Sequence, residues 1–476
     1  MTDRFDVVVI GAGPAGYTAA IRAAQLGLKV ACVDDWRDTR GGPALGGTCL
    51  NAGCIPSKAL LHATGMIREA EASQARGISF GAPKIQLDKL RAWKDSVLDK
   101  LGQGLSGLSQ KRGVQVLQGR GHFEDSQNLR VETSEGQKFV HFEKAIIAVG
   151  SRPAMPAAFD LGNPRVMTST EALELEEIPR NLLVVGGGYI GMELGTVYAT
   201  LGSSVAMVEA LSSTLVGIDS DLVRPVMRFA EKAFKEIRLN TKVVKMATSG
   251  KQIKVTLAVD GKQIEESYDR VLVSVGRAPN CKDLGLENTK VTLDDKGFVQ
   301  VNAQRQTADP NIYAIGDVAG GALLAHKASK EAKIAVEAIA GEASSFDGVV
   351  IPAVVFTDPE VAWCGLTEVE AKEKGIKVEV ARFPWAASGR ALTLDRTDGL
   401  TKLIIEPETE RLLGVGIVGH GAGELIGEGV LAVQMGATAR DIAESVHPHP
   451  TLSETLMECA EAFYGTSPHT APRKKS

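Results

Sequence analysis

The feature that most constrains this chain is a glycine pattern that occurs twice at the same spacing. The apolar run Asp6 to Ile10 leads into Gly11-Ala12-Gly13-Pro14-Ala15-Gly16, an Ala-rich helical stretch ending near Leu26-Gly27, and a strand Lys29 to Val33 closing on Asp34. Far downstream, Asn181 to Val185 leads into Gly186-Gly187-Gly188-Tyr189-Ile190-Gly191, a helix ending near Leu201-Gly202, and a strand Ser204 to Val208 closing on Glu209. In both copies the first glycine stands 23 residues before the acid and 16 before the glycine that follows the helix. Each copy reads as a βαβ unit. Its first glycine permits a tight turn, its second lets a pyrophosphate approach the backbone, and its third lets helix and strand pack, while free N–H groups at the helix start attract anions. The terminal carboxylate can accept from ribose hydroxyls. A packing-only turn explains one such loop; matched offsets in two favour two dinucleotide sites.

Both copies are closed by similar late strands, Ala145 to Val149 before Gly150-Ser151-Arg152-Pro153, and Val271 to Val275 before Gly276-Arg277-Ala278-Pro279. From third glycine to closing glycine there are 134 residues in the first copy and 85 in the second, so the first carries 49 more. Cys49 and Cys54 fall in that extra stretch, with helical segments through Gly65 to Lys111. Two nucleotide units, one enlarged around a thiol pair, imply two different nucleotides and an electron relay between them.

The thiols stand five residues apart in Gly46-Gly47-Thr48-Cys49-Leu50-Asn51-Ala52-Gly53-Cys54-Ile55-Pro56-Ser57-Lys58. On an ideal helix that spacing separates Cα atoms by about 8–9 Å, beyond the ~7 Å that a disulfide bridges. A bridge therefore requires a distorted helix, which Gly53 and Pro56 can supply, and a bridge in non-ideal geometry is easily reduced. Zinc ligation and inert buried thiols are the competing uses, although no second Cys or His pair stands nearby at ligand spacing. Lys58, four residues after Cys54, can share its helix face and favour a thiolate. The other four cysteines are scattered singly, too few for a secreted disulfide scaffold.

Composition adds exclusions. A net charge of −5 gives no footprint for nucleic acid or anionic membrane. No apolar run approaches the ~18 residues of a membrane span, and the start Met1-Thr2-Asp3-Arg4-Phe5-Asp6 lacks a signal-peptide pattern, so a cytoplasmic protein is expected.

The segment Gly46 to Lys58 resembles the redox-disulfide segment of the FAD-dependent pyridine nucleotide–disulfide oxidoreductases, in their lipoamide-oxidising branch, and the likeness runs from Phe5 to about Tyr464. It implies FAD on the first repeat and NAD on the second. The fold expected is α/β: two Rossmann-like dinucleotide-binding domains plus a C-terminal α+β interface domain. Boundaries are placed at 1–150 (FAD and redox disulfide), 151–280 (NAD), 281–350 (central, completing the FAD site) and 351–465 (interface), with a disordered tail at 466–476. Asn311-Ile312-Tyr313-Ala314-Ile315-Gly316-Asp317 matches the family's second flavin motif, whose Asp binds the ribityl chain. The likeness implies FAD contacts at Gly11, Gly13, Gly16, Asp34, Thr48, Lys58, Gly121, Gly150, Asp317 and Ala325, and NAD contacts at Gly186, Gly188, Gly191, Glu209, Val243 and Gly276. Glu209, followed by Ala210-Leu211-Ser212-Ser213-Thr214 with no Arg, suits a ribose 2′-hydroxyl and repels a 2′-phosphate, favouring NAD over NADP.

Near the C-terminus stands His447-Pro448-His449-Pro450-Thr451-Leu452-Ser453-Glu454-Thr455. Thr451 and Glu454 are spaced for a capping box opening a helix Leu452 to Phe463. The family's general-base dyad carries onto His449 and Glu454, and a His backed by a carboxylate can take a thiol proton. Pro448 replaces the family's usual Ala and restricts His447. The resemblance implies catalytic roles for Cys49, Cys54, His449, Glu454, Lys58 and Glu193, no metal, a homodimer in which the base comes from the other subunit, and a lipoyl-bearing acyltransferase as partner. Oxidation of protein-bound dihydrolipoamide is the expected reaction. Another disulfide or mercuric reductase, or a non-catalytic flavoprotein scaffold, is the alternative; Glu209 argues against a glutathione-type enzyme and the His449–Glu454 pair against a mercuric one.

Overall fold

The computed structural model describes residues 3–37 and 42–471. Val7, Val8 and Val9 are fully buried, as expected of a parallel strand covered on both faces. Their strand, Asp3–Ile10, lies between the parallel strands Val30–Asp34 and Gly136–Ile147; Gln115–Gln118 extends the sheet at one end and the antiparallel strands Asn128–Thr133 and Arg120–Phe123 at the other. The second repeat forms a five-stranded parallel sheet, Glu236–Arg238, Ser204–Val208, Asn181–Val185, Arg270–Val273 and Val166–Met167. A three-stranded antiparallel meander from Lys242 to Tyr268 packs on it. The closing segments of the two copies pair with each other, Ser151–Pro153 against Arg277–Pro279, which ties the two units where each leaves its sheet.

The expected central domain 281–350 does not stand alone. Its strand Ile312–Ala314 adds in parallel to Gly136–Ile147, and Leu284, Leu286, Val299 and Val318 share one core with Phe5, Val8 and Phe142. A three-residue strand cannot bury its own apolar faces, so the segment completes the first domain. The C-terminal unit is an antiparallel five-stranded sheet from Ala353 to Gly419 packed against the helices Ala422–Met435 and Glu454–Tyr464. It is latched to the second domain by the buried Lys402, whose Nζ donates to Asp219 and Asp221 at 2.8 Å and contacts Glu368. Among the described residues no helix is long and apolar enough to cross a membrane.

Two expectations fail locally. The tail turns back: Ser467 is buried with its Oγ donating to Glu458 Oε2 at 2.7 Å, and His469 Nδ1 lies 2.5 Å from Glu458 Oε1. The remainder of the expected disordered tail, 472–476, lies outside the described residues. The capping box at Thr451 also does not form. The helix begins at Glu454, and Thr451 Oγ1 donates to Pro448 O at 2.7 Å instead of accepting from the helix. Only the return half survives, Thr451 N–H donating to Glu454 Oε2 at 2.6 Å.

Candidate active site

The two glycine loops have the same geometry. Gly11 and Gly186 adopt φ of +102° and +107°, and a Cβ there would lie 2.3 Å from Ala148 O and 2.5 Å from Ser274 O. Only glycine lets these turns pass so close beneath the neighbouring strand. At Gly16 and Gly191 a Cβ would come within 1.7 Å and 2.1 Å of the carbonyl of the first glycine, so both serve helix–strand packing, and neither lines the cavity described below. The middle glycines are open: a Cβ on Gly13 meets nothing nearer than Gly47 Cα at 3.9 Å, and one on Gly188 meets nothing within 4 Å. These are the positions where a pyrophosphate can approach the backbone.

The terminal acids do more than face a ribose. Asp34 Oδ2 accepts from Ala12 N at 2.5 Å and Oδ1 from Trp36 N at 2.8 Å; Glu209 Oε2 accepts from Gly187 N at 2.7 Å and Oε1 from Leu211 N at 2.8 Å. Each acid thus pins the residue after its first glycine, with lone pairs left for a ribose. Arg238, whose carbonyl accepts from Glu209 N, holds its guanidinium on Glu236 and Glu266. Thr241 N donates to Glu209 O, which sets the start of the meander beside this acid; Val243 follows on that strand, half-buried against the domain core. Gly276, at φ +135°, follows the closing strand and accepts from Ala154 N.

A cavity of about 710 Å³ runs through the first domain, from Asp34 and Trp36 past Gly11 and Gly13 to Cys49, Cys54 and Lys58. Thr48, Gly121, Gly150, Glu193, Asp317 and Ala325 also line it. Its volume lies in the range of about 300–1,000 Å³ typical of cofactor pockets, and a side chain at Gly13 would intrude on it. The residues present therefore fit an elongated dinucleotide whose redox ring meets the thiols. Asp317 Oδ2 accepts from Ser151 Oγ at 2.5 Å, and Arg277 Nε donates to the same Oγ at 2.7 Å, so the closing segments of both repeats hold the flavin-motif carboxylate.

Instead of one distorted helix, the thiol segment forms two, Gly47–Ala52 and Cys54–Ala72, broken at Gly53. A Cβ on Gly53 would lie 2.9 Å from Thr48 O, so the break depends on glycine. Pro56 falls in the first turn of the second helix, where its missing N–H has no partner to lose. Cys54 is the first residue of that helix, and the two free thiols are hydrogen-bonded to each other. That bond, and then the Lys58 ammonium, draw the Cys54 thiol from 9.0 down to about 7 against the opposing effect of burial. Cys49 is pushed up, by its bond to Cys54 first and then by burial. A Cys54 thiolate accepting from a Cys49 thiol is the arrangement these shifts describe.

Lys58 Nζ lies 2.8 Å from Glu193 Oε2 and 4.4 Å from the centroid of the Phe356 ring. Glu193 is buried and fully partnered, since Ser57 Oγ donates to Oε2 at 2.9 Å and Phe356 N to Oε1 at 2.9 Å. Sequence alone does not point to Ser57 and Phe356, because their contacts cross 136 and 163 residues. Nor does it point to Tyr17. Its phenol is held above its ordinary value by burial first and then by charge on Cys49 and Cys54.

His449 Nδ1 lies 2.8 Å from Glu454 Oε1. With the proton on Nδ1, Nε2 is left as an acceptor. His449 is 76% exposed and is absent from the cavity lining, so this dyad and the thiols are not brought together within one chain. His447, by contrast, is buried, with Nε2 2.7 Å from Glu428 Oε1 and Nδ1 2.8 Å from Ser445 O.

Residues 5–332 match the family described as pyridine nucleotide-disulphide oxidoreductase, and residues 351–460 match that family's dimerisation domain. The chain belongs to the pyridine nucleotide-disulphide oxidoreductases, and its dimerisation domain supports a homodimer. Within the family it is 46% identical over 475 residues to the dihydrolipoyl dehydrogenase of Vibrio cholerae, covering 98% of each chain. It is 45% identical over 469 residues to that of Staphylococcus aureus, again covering 98% of each. Among solved structures it is similar to LpdA of Mycobacterium tuberculosis, with TM-score 0.88 and 26% identity over 97% of this chain and 100% of that one. It is also similar to the Cu(II) complex of the HOCl-induced flavoprotein disulfide reductase RclA of Escherichia coli, with TM-score 0.85 and 28% identity over 97% and 99%.

Proposed function

We propose that this protein is an NAD-dependent dihydrolipoyl dehydrogenase that oxidises dihydrolipoamide carried by the acyltransferase of a 2-oxo acid dehydrogenase complex. The observation that carries the reading is the placement of Cys49 and Cys54 in the wall of the dinucleotide cavity, with Lys58 and Glu193 beside them. Full-length similarity to dihydrolipoyl dehydrogenases supports it. Gly11, Gly13, Asp34, Asp317 and Ala325 would hold FAD, and Gly188 and Glu209 would hold NAD. When bound, FAD would supply a two-electron carrier between the dithiol and NAD⁺.

A dihydrolipoamide thiol gives its proton to Nε2 of His449 of the partner subunit and attacks Cys49 Sγ in the oxidised enzyme; the Cys49–Cys54 bond breaks, and Cys54 leaves as a thiolate. A value near 7 makes Cys54 the better leaving group of the two. The second lipoamide thiol then attacks the lipoamide sulfur bonded to Cys49, the mixed disulfide breaks, and the proton of that thiol passes to the departing sulfur, releasing oxidised lipoamide and the Cys49 thiol. Glu454 fixes the tautomer and steadies the imidazolium that forms. Lys58 keeps positive charge beside the Cys54 thiolate, and Glu193 holds Lys58 in place.

Steady-state assay with dihydrolipoamide and NAD⁺ tests this directly. NADH should form in the wild type and be abolished in Cys49→Ser with FAD still bound. Unchanged turnover in that variant would support a scaffold or a different electron route.

A further inference from the structure

Behind the flavin-motif turn lies a buried charge cluster that the mechanism does not use. Lys327 and Glu331 stand one turn apart on the helix Ala325–Ile339, 3% and 1% exposed. Glu331 Oε1 accepts from Lys327 Nζ and Arg305 Nη1, each at 3.0 Å, and Oε2 accepts from Gly316 N at 2.7 Å. Lys327 Nζ also donates to Gly316 O at 3.3 Å and Gly320 O at 3.0 Å. Both backbone groups of Gly316, and the carbonyl just past the turn Gly316–Ala319, therefore end on two side chains of one helix.

Gly316 is left-handed, at φ +78°, and Asp317 follows it into the cavity wall. Ala325 and Ala328, which flank Lys327 in sequence, line the same wall. A buried ion pair seldom stabilises a fold more than apolar packing of the same size would, and its better-attested use is to specify one geometry. Here the geometry specified is the separation between the Asp317 carboxylate and the start of this helix, which has no side-chain cap.

We propose that Glu331 and Lys327 are a positioning pair for the cofactor: they hold the Gly316 turn so that Asp317 and the helix start are aligned before FAD binds. This rests on the cavity being the FAD site. The test strips the flavin from the full-length protein, titrates it back by fluorescence quenching, and records the visible circular dichroism of the bound flavin. Three proteins are compared: wild type, Glu331→Gln, and Glu337→Gln, which removes the half-exposed Arg22–Glu337 pair from the same helix. Loss of a charged hydrogen bond predicts FAD binding weakened about tenfold or more in Glu331→Gln, with an altered flavin dichroism, and affinity within about twofold of wild type in Glu337→Gln. Wild-type affinity and dichroism in Glu331→Gln would overturn the proposal, as would an equal loss in Glu337→Gln. If Glu331→Gln does not fold, Lys327→Met takes its place: weakened binding with altered dichroism supports the proposal, and wild-type values overturn it. A wild type that binds no FAD would overturn the cavity assignment and this inference together, whereas wild-type behaviour of the variant alone overturns the positioning role and leaves the cavity assignment standing.

Discussion

Cys54 opens a helix, and that placement governs the behaviour of the thiol pair. The hydrogen bond from Cys49 first, and then the Lys58 ammonium one turn along, hold the Cys54 thiol down to about 7 against the opposing effect of burial. The folded value lies below the unfolded one. Its contribution to the stability of the reduced protein is therefore complete above pH 9.0 and is lost as pH falls through about 7. In the two-electron-reduced enzyme, thiolate-to-flavin absorbance should grow as pH rises through about 7, and Lys58→Met should move that midpoint upward; an unmoved midpoint would remove Lys58 from the site. At the nucleotide end, Glu209→Ala removes the charge opposed to a 2′-phosphate. The ratio of NADPH to NADH use should rise about tenfold or more, read from kcat/KM for each. The residue types and spacings of Cys49, Cys54, Lys58 and Glu209 are legible in sequence because local chemistry defines them. Ser57 and Phe356, the partners of Glu193, are not, because only tertiary packing brings them together.

The paired glycine loops allow the two nucleotide sites to be disabled separately. A methyl group at Gly11 or Gly186 meets a strand carbonyl at 2.3 Å or 2.5 Å, in a backbone conformation that already strains any L side chain. Strain of about 1–3 kcal/mol corresponds to a loss of roughly five- to 150-fold in binding. Gly186→Ala should therefore retain FAD and lose NAD affinity, whereas Gly11→Ala should be purified depleted of flavin; absorbance of the purified proteins and NADH titration distinguish the two. The two βαβ repeats and their closing strands followed from glycine spacing and apolar runs, whereas the meander Lys242–Tyr268 did not. The distortion at Gly53 followed too, though not the split of the segment into two helices; the missing cap at Thr451 and the merging of 281–350 with the first domain did not. The lost cap is a local competition, in which Pro448 O three residues back takes the Thr451 hydroxyl, whereas the merging depends on a distant strand, Gly136–Ile147 for Ile312–Ala314.

Within one chain the thiol pair and the His449–Glu454 dyad stand apart. Cys49 and Cys54 line a cavity formed by residues 10–328, whereas His449 sits exposed in the dimerisation domain. Cys49→Ser and His449→Gln proteins should each be nearly inactive with dihydrolipoamide, the latter by about 10²–10⁴-fold. Unfolding and refolding them together should restore activity, because one site of the mixed dimer combines an intact thiol pair with an intact base. Mixtures no more active than their parents would place both groups in one subunit. The electron route from thiols to flavin is tested most directly by anaerobic titration of the wild type with one equivalent of dihydrolipoamide, followed by NAD⁺. A long-wavelength thiolate-to-flavin band should appear, be absent in Cys54→Ser, and decay as NADH forms; flavin reduced with no such band, in wild type and variant alike, would contradict a thiol pair that passes electrons to the flavin.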